Sequence, residues 1–122
     1  MDVDAMNLLE ETIEALKING KSPDYVVWVG SRDGSLAMSW EDFALIAKET
    51  DYDSGFGGQE IAKDLIVVGA SWWLERHEYD GSEWWEFKSL PTKSQLARPF
   101  RHVMGGSWSS LDETQKRNGD EP

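Results

Sequence analysis

Residues 72–88 read WWLERHEYDGSEWWEFK, and this stretch decides the fold. Its side chains alternate along two arms, Trp72–Tyr79 and Glu83–Lys88, with Asp80-Gly81 between them. Asp-Gly between alternating segments predicts a β-hairpin with a tight turn. Because neighbours on a strand point to opposite sides, each arm should have one aromatic-bearing face and one mostly polar face.

Two helices are predicted upstream of the hairpin. Apolar residues recur at helical spacing near the start of the chain: Met6, Leu9, Ile13 and Leu16. They predict a helix from about Ala5 to Asn19, with Asp4 as its N-cap and Gly20 at its end. The sequence Ser39-Trp40-Glu41-Asp42 resembles a capping box and predicts a second helix over about Trp40–Lys48.

Three further segments have strand patterns: Tyr25–Val29, Leu36–Met38 and Leu65–Val68. Asp33-Gly34 is placed to turn the chain between the first two. Three glycines in four positions mark Asp51–Gly58 as a loop, and Gln59–Lys63 should form a helical turn after it.

Together these elements predict an α+β fold: an antiparallel sheet of about five strands with two helices packed on one face. The order is helix, hairpin, helix and three-strand meander. Residues 1–91 should form one acidic α+β domain. Residues 92–122 should form a partly disordered tail whose last dozen residues are disordered, because Pro, Gly and polar residues dominate there. Phe100, Met104 and Trp108 are the residues that would anchor this tail to a surface.

The negative charge is concentrated in the first part of the chain. Residues 1–91 contain 19 acidic and 7 basic side chains, whereas residues 92–122 contain 4 and 5. A surface of this kind repels nucleic acid and anionic membranes and attracts basic surfaces. Two interpretations of this negative charge stay open: it keeps the protein soluble, or it binds a basic partner.

The chain has no cysteine, so disulfides and thiolate metal sites are excluded. No apolar run approaches the roughly 18 residues that span a bilayer. The acidic N-terminus lacks the basic-then-apolar order of a secretion signal. We therefore expect a cytoplasmic protein without a membrane segment.

Residues suited to catalysis or metal binding are few. His77 and Glu75 share a strand face but lack a third ligand at a recognisable spacing, so a surface histidine among acids is the preferred interpretation. From Asp51 onward, the calcium-loop pattern fails at its fifth, sixth and twelfth positions. The glycine-rich segment Gly55–Gly58 is not interpreted as a phosphate-binding loop, because no Gly-Lys-Ser/Thr follows it. We expect no enzyme activity, no metal and no cofactor.

Seven tryptophans are present, and two adjacent pairs lie in the hairpin: Trp72-Trp73 and Trp84-Trp85. One indole of each pair must point away from whatever the other packs against. Two interpretations stay open. The indoles fill a core covered on both faces, or one row is exposed as interface anchors, a role in which tryptophan is enriched.

Four strings of the sequence resemble small acidic proteins that phages and prophages of Firmicutes encode. The strings are WVGS at 28–31, SWEDF at 39–43, DYDSGFG at 51–57 and EYDGSEWWEF at 78–87, and the likeness covers about residues 7–91. Some small acidic phage proteins are anti-CRISPR inhibitors, which occupy the basic nucleic-acid or PAM-reading surface of a CRISPR effector nuclease. The resemblance implies this class but assigns no residue, because anti-CRISPR families share no common motif.

Charge and resemblance together predict a phage or mobile-element inhibitor that binds a host defence protein in the host-cell cytoplasm. The leading partner is a protein with a basic surface, a type II CRISPR effector nuclease, with no direct contact to nucleic acid. The predicted contact residues are acidic groups that would replace phosphates and one indole: Asp51, Asp53, Glu75, Glu78, Asp80, Glu83 and Trp84. The protein would act as a monomer or small homo-oligomer. The alternative is a virion assembly or structural accessory protein that forms a homo-oligomer through exposed tryptophans.

Overall fold

The computed structural model describes residues 5–55 and 57–117. It divides into two compact units, one ending at Leu90 and the other beginning at Pro91. The elements of the first unit are β1 (Ala5–Asn7), α1 (Leu8–Ile18), β2 (Trp28–Ser31), β3 (Ala37–Met38), α2 (Trp40–Ala47), β4 (Asp51–Asp53), β5 (Leu65–Val68), β6 (Trp72–Tyr79) and β7 (Ser82–Ser89). The predicted α+β fold with an antiparallel sheet of five strands is confirmed.

The main sheet has the order β3-β2-β5-β6-β7, and every neighbouring pair is antiparallel. The hairpin β6–β7 turns at Asp80 and Gly81, whose φ angles are 51° and 86°. Two positive φ values in succession form the turn that matches strand twist, and Asp-Gly tolerates them best. Gly81 has a second reason to lack a side chain, because a Cβ there would lie 2.7 Å from the carbonyl oxygen of Gly57.

Both helices begin at side-chain caps, although one cap differs from the prediction. The side chain of Asn7 accepts a hydrogen bond from the Glu10 N–H, and Ser39 does the same for Asp42. α1 therefore starts three residues later than predicted, because residues 5–7 are paired as a strand. The predicted cap, Asp4, lies outside the described residues.

The segment Asp51–Gly58 is not wholly a loop as predicted. β4 pairs with β1 in a small second sheet, with Tyr52 opposite Met6. Tyr52 is buried, whereas Asp51 is exposed. A three-residue strand whose partner lies more than forty residues away leaves no periodicity to detect.

Two further predictions were wrong in detail. Pro23–Tyr25 forms a 3₁₀ turn closed by the Tyr25 N–H on the Ser22 carbonyl, so the predicted strand at Tyr25–Val29 starts only at Trp28. The predicted helical turn at Gln59–Lys63 is absent. The N–H groups of Glu60 and Ile61 donate to the carboxylate of Glu83 instead of to helix carbonyls.

The core lies between the two helices and one face of the main sheet, which we call the inner face. Cross-strand register aligns four apolar side chains there in one row: Val29, Val67, Leu74 and Phe87. The buried cluster also includes two residues of each helix and three aromatic side chains: Leu8, Leu16, Phe43, Ala47, Tyr52, Trp72 and Trp85. Burying each large side chain stabilises the fold by roughly 1.5–3 kcal/mol.

A charged group, Arg76, lies inside this core. Its side chain is fully buried and makes ion pairs with Glu83 at 2.8 Å and Glu11 at 3.3 Å. It also donates to the Tyr52 hydroxyl at 2.9 Å. The rings of Tyr52 and Trp85 lie 5.5 and 4.7 Å from its guanidinium carbon.

The surroundings of Arg76 shift the ionisation of its partners as well. Burial and the hydrogen bond to Glu11 raise the pKa of the Tyr52 hydroxyl, which therefore stays protonated. Burial alone would lower the pKa of Arg76, but its bonds to Tyr52 and Glu83 outweigh burial and raise it. The network therefore ties α1, β4, β6 and β7 together around one permanent positive charge.

The second unit contains a 3₁₀ turn (Gly106–Trp108) and the helix α3 (Leu111–Arg117). Ser110 and Glu113 cap α3 reciprocally, since each side chain accepts from the other's N–H. α3 thus occupies part of the segment that the sequence predicts to be disordered, and residues 118–122 lie outside the described part. Trp108 is 93% exposed within this unit.

Removing one partner of a buried ion pair leaves the other charge uncompensated. We predict that Glu83→Ala lowers the free energy of unfolding by about 3–5 kcal/mol, measured by urea denaturation with tryptophan fluorescence. The matched control is Glu14→Ala on the exposed side of α1, where we expect a change within about 0.5 kcal/mol. A loss below about 1 kcal/mol at Glu83 would show that the network is not structural.

Candidate functional site

The side of the main sheet opposite the helices, which we call the outer face, carries half-buried tryptophans. Both helices of the first unit pack against the inner face, so neither covers this side. Three indoles lie on it, Trp28, Trp73 and Trp84, one on each of β2, β6 and β7. The question that the sequence left open is thereby answered for the hairpin pairs. Trp72 and Trp85 are buried in the core, and Trp73 and Trp84 point away from it.

Glu75 is the centre of a polar network on the outer face. It accepts from the Trp73 indole N–H at 2.6 Å and lies 2.6 Å from His77 and 3.5 Å from Arg32. Burial alone would raise the pKa of Glu75. The hydrogen bonds from Trp73 and His77 and the charge of Arg32 outweigh burial and hold the pKa below its usual value of 4.5.

Glu86 repeats the arrangement on the neighbouring strand. It accepts from the Trp84 indole N–H at 3.2 Å and pairs with Lys88 at 3.4 Å. His77 lies 3.5 Å from the same carboxylate. Both carboxylates of the outer face are therefore hydrogen-bonded to an indole and close to a cation, which leaves this face almost neutral.

A shallow groove of about 290 Å³ crosses the outer face. Its lining consists of two indoles, two aliphatic side chains and a guanidinium: Trp28, Trp73, Ile66, Val68 and Arg32. A second cavity of about 350 Å³ lies between α2 and the β2–β3 hairpin and has an almost wholly apolar lining. It provides no converging polar groups that would orient a substrate.

Acidic side chains gather at one end of the first unit, where the loop after β4 meets the β6–β7 turn. The Glu83 N–H donates to the Ser54 carbonyl, and the Asp53 N–H donates to the Glu60 carboxylate at 2.7 Å. We call the group that shares this end the acidic tip: Asp51, Asp53, Glu60, Glu78 and Asp80. None of the five forms an ion pair within residues 5–55 and 57–117.

An exposed aromatic residue lies between two of these acidic residues in the sequence. Tyr79 is 77% exposed and lies between Glu78 and Asp80 at the end of the hairpin. The carboxylate of Glu78 accepts from the Gly81 N–H at 2.9 Å, which holds the turn in place. The tip thus combines an exposed ring with unpaired negative charge on a rigid turn.

The structure separates the seven predicted contact residues into three places. Asp51, Asp53, Glu78 and Asp80 belong to the acidic tip, although the Asp51 carboxylate also accepts from the Asn7 side chain at 2.9 Å. Glu75 and Trp84 lie on the outer face, with their polar atoms engaged by neighbours. Glu83 is only 3% exposed, and its carboxylate is committed to Arg76 and two backbone N–H groups, so a partner cannot reach it.

Sequence reasoning missed Arg76, Tyr52 and Glu60. Alternation already places Arg76 on the same side as Trp72 and Leu74, and a basic residue at an inward strand position needs a buried acidic partner. An inward-pointing Arg76 would therefore have predicted that a nearby acid such as Glu83 is buried with it and is not exposed. Glu60 had no comparable signal, because its place at the tip depends on non-local hydrogen bonds.

The structure directly tests for metal-binding clusters and for membrane-spanning helices. Within the described part of the chain, no three His, Asp or Glu side chains are grouped so that they could hold a metal ion. Among the same residues, no helix has both the length and the apolar character needed to cross a membrane. His77 and Glu75 are in contact, but both are engaged by the indole and cation network described above.

No protein-family model matches the sequence, and neither a curated protein nor a solved structure shows significant similarity to the chain.

The depressed pKa of Glu75 predicts a pH-dependent outer face. Its network contributes stability at pH values above 4.5, and that contribution is lost as the pH falls through the lower pKa of the folded state. We predict that the Trp73 indole N–H resonance shifts with a midpoint below 4.5 in NMR spectra.

Two variants control this experiment. The shift should vanish in Glu75→Gln, which cannot titrate, and persist in Glu14→Gln, which removes an acid elsewhere. A midpoint at or above 4.5 in the unsubstituted protein would contradict the prediction.

Proposed function

We propose that this protein binds another protein through its acidic tip and that the partner presents a basic, nucleic-acid-binding surface. The observation that carries the proposal is that the carboxylates of different surfaces differ in whether they are paired with cations. Those of the core and outer face are paired with cations. The five of the tip, like the exposed acids of α1 and α2, have no ion pair among the described residues, and two of them flank the exposed Tyr79 in the sequence. Unpaired charge held on a rigid turn is available to a partner of opposite charge.

The charge of the whole first unit supports this direction of binding. Its net charge of −12 over residues 1–91 gives a long-range field that repels nucleic acid and draws a basic protein toward the tip. Electrostatic complementarity acts mainly on association rate and specificity. The anchoring contact would come from Tyr79, since an exposed aromatic ring adds desolvated area at low entropic cost.

The tip also matches what a nucleic-acid-binding groove accepts. Carboxylates on β4 and on the hairpin turn offer acceptor oxygens on a fixed scaffold, as phosphates do along a strand. By occupying phosphate-binding Lys and Arg side chains, the protein would act as a competitive inhibitor without catalysis.

The resemblance to small acidic phage proteins gives the finer form of the proposal. The protein is an anti-CRISPR type inhibitor, encoded by a phage or mobile element and acting in the host cytoplasm. Its target is a type II CRISPR effector nuclease, bound at the groove that otherwise receives DNA. The contact residues are the acidic tip and Tyr79, which keep four of the seven residues predicted from sequence and substitute Glu60 and Tyr79 for Glu75, Glu83 and Trp84.

Direct binding to a guide-loaded type II effector nuclease tests both levels of the proposal. We expect binding that competes with target DNA and weakens from low to moderate salt, because screening reduces attraction between exposed charges. The double variant Glu78→Gln with Asp80→Asn should weaken binding about tenfold. Gln keeps an acceptor for the Gly81 N–H, and Asn tolerates the positive φ of residue 80.

The matched control removes the same charge elsewhere. Glu14→Gln with Glu41→Gln lies on exposed helix positions and should leave affinity within about twofold. Equal losses in the two double variants would mean that only net charge matters, and the tip would not be the site. Affinity that does not respond to salt would overturn the electrostatic mechanism itself.

A further inference from the structure

We infer that the outer face is a self-association surface through which two copies of this chain form a symmetric dimer. The first observation is its charge. Glu75 and Glu86 are balanced by Arg32 and Lys88, whereas the acidic tip and the helix surfaces carry unbalanced carboxylates. A second copy of an acidic body is repelled by those surfaces and least repelled by this one.

The second observation is its composition. Three half-buried indoles, on β2, β6 and the edge strand β7, distribute large, rigid rings across the face. Trp73 and Trp84 have their N–H groups satisfied by Glu75 and Glu86 on the same face. A partner can therefore cover these indoles without leaving a buried donor unpaired, which would otherwise oppose association.

The third observation is that the face is complementary to itself. Register places Trp28 in the same row as Lys88, with one strand on either side of the sheet centre. Arg32, two residues beyond Gly30, falls in the row of Trp84. Each edge of the patch thus carries one indole and one cation in opposite order.

A two-fold axis in the plane between two such faces brings cations onto indoles. If the axis runs along the strands, Trp28 of one copy meets Lys88 of the other, and Arg32 meets Trp84. If it runs across the strands, Trp28 meets Arg32, and Lys88 meets Trp84. Both arrangements give cation–π pairs, and neither requires a change of side-chain charge.

The area of the outer face determines how strong the dimer is expected to be. The strands β3, β2, β5, β6 and β7 contain 2, 4, 4, 8 and 8 residues, and at about 4.8 Å by about 3.3 Å for each residue they cover roughly 400 Å² per copy. The pair would bury roughly 800 Å², which is about half of the ~1,600 Å² of a standard interface. We therefore expect a dimer that dissociates in the micromolar range.

Salt separates this dimer from binding at the acidic tip. Two bodies of the same charge repel each other, so screening should strengthen the dimer, whereas it weakens binding to a basic partner. Sedimentation equilibrium of the full chain should show a monomer–dimer transition that shifts to several-fold lower concentration from low to moderate salt. Sedimentation as a monomer throughout, at millimolar concentration and moderate salt, would overturn the inference.

Matched charge reversals locate the interface. Lys88→Glu should weaken the dimer at least tenfold, since in either arrangement it places an acid opposite an indole. Lys48→Glu at the end of α2 changes net charge equally and should have a several-fold smaller effect. Equal effects in the two variants would mean that the outer face is not the interface.

A second measurement does not depend on how Lys88→Glu folds. In the unsubstituted protein, acrylamide should quench tryptophan fluorescence less as concentration rises through the dimer transition. Glu78→Gln with Asp80→Asn removes two negative charges from each copy and should not weaken the dimer, whereas it weakens binding to a basic partner, which keeps the dimer distinct from the proposed function. Quenching that is independent of concentration would contradict the inference.

Discussion

The buried charge of Arg76 is the constraint on which the rest of the structure depends. A guanidinium cannot lose its proton to escape burial, so the fold must supply acceptors around it. Glu11 reaches it from α1, Tyr52 from β4 and Glu83 from β7. The first helix, the small second sheet and the hairpin therefore each supply one acceptor to the same guanidinium.

The same constraint determines which carboxylates remain for function. Glu83 receives Arg76 on one side and the N–H groups of Glu60 and Ile61 on the other, so it fixes the segment after β4 against the hairpin. That segment carries Asp53 and Glu60 to the end of the unit. Glu83 is thus buried inside the protein, and its contacts position Asp53 and Glu60 on the surface. The position of the acidic tip therefore depends on contacts made in the core.

Local patterns predicted the hairpin, both helices and the central strand, because each is specified by neighbouring residues. The pairing of β1 with β4 was not predictable, since three residues carry no period and the partner is remote. The tryptophan pairs had a different limit. Alternation along the strand indicates that Trp84 and Trp85 face opposite sides of the sheet. Only the hydrogen bond from the Trp85 indole N–H to the Thr12 hydroxyl shows which of the two lies in the core. Once Trp85 is inside, Glu83 on the same side must be inside as well, and its assignment to a binding surface fails.

The period of two residues along the hairpin also explains how one small sheet keeps two surfaces of different character. Along β6, Arg76 and Glu78 point to the inner side, while Glu75 and His77 point outward. The outward carboxylates are each paired with an indole and a cation, which removes their charge from the field of the protein. The tip includes Glu78 in the second-to-last paired row of the hairpin and Asp80 in its turn. Among the described residues, neither the core nor the outer network supplies a cation to them. Neutral and acidic surfaces are therefore separated along a single strand pair, and their opposite electrostatics permit both to be used in the same molecule.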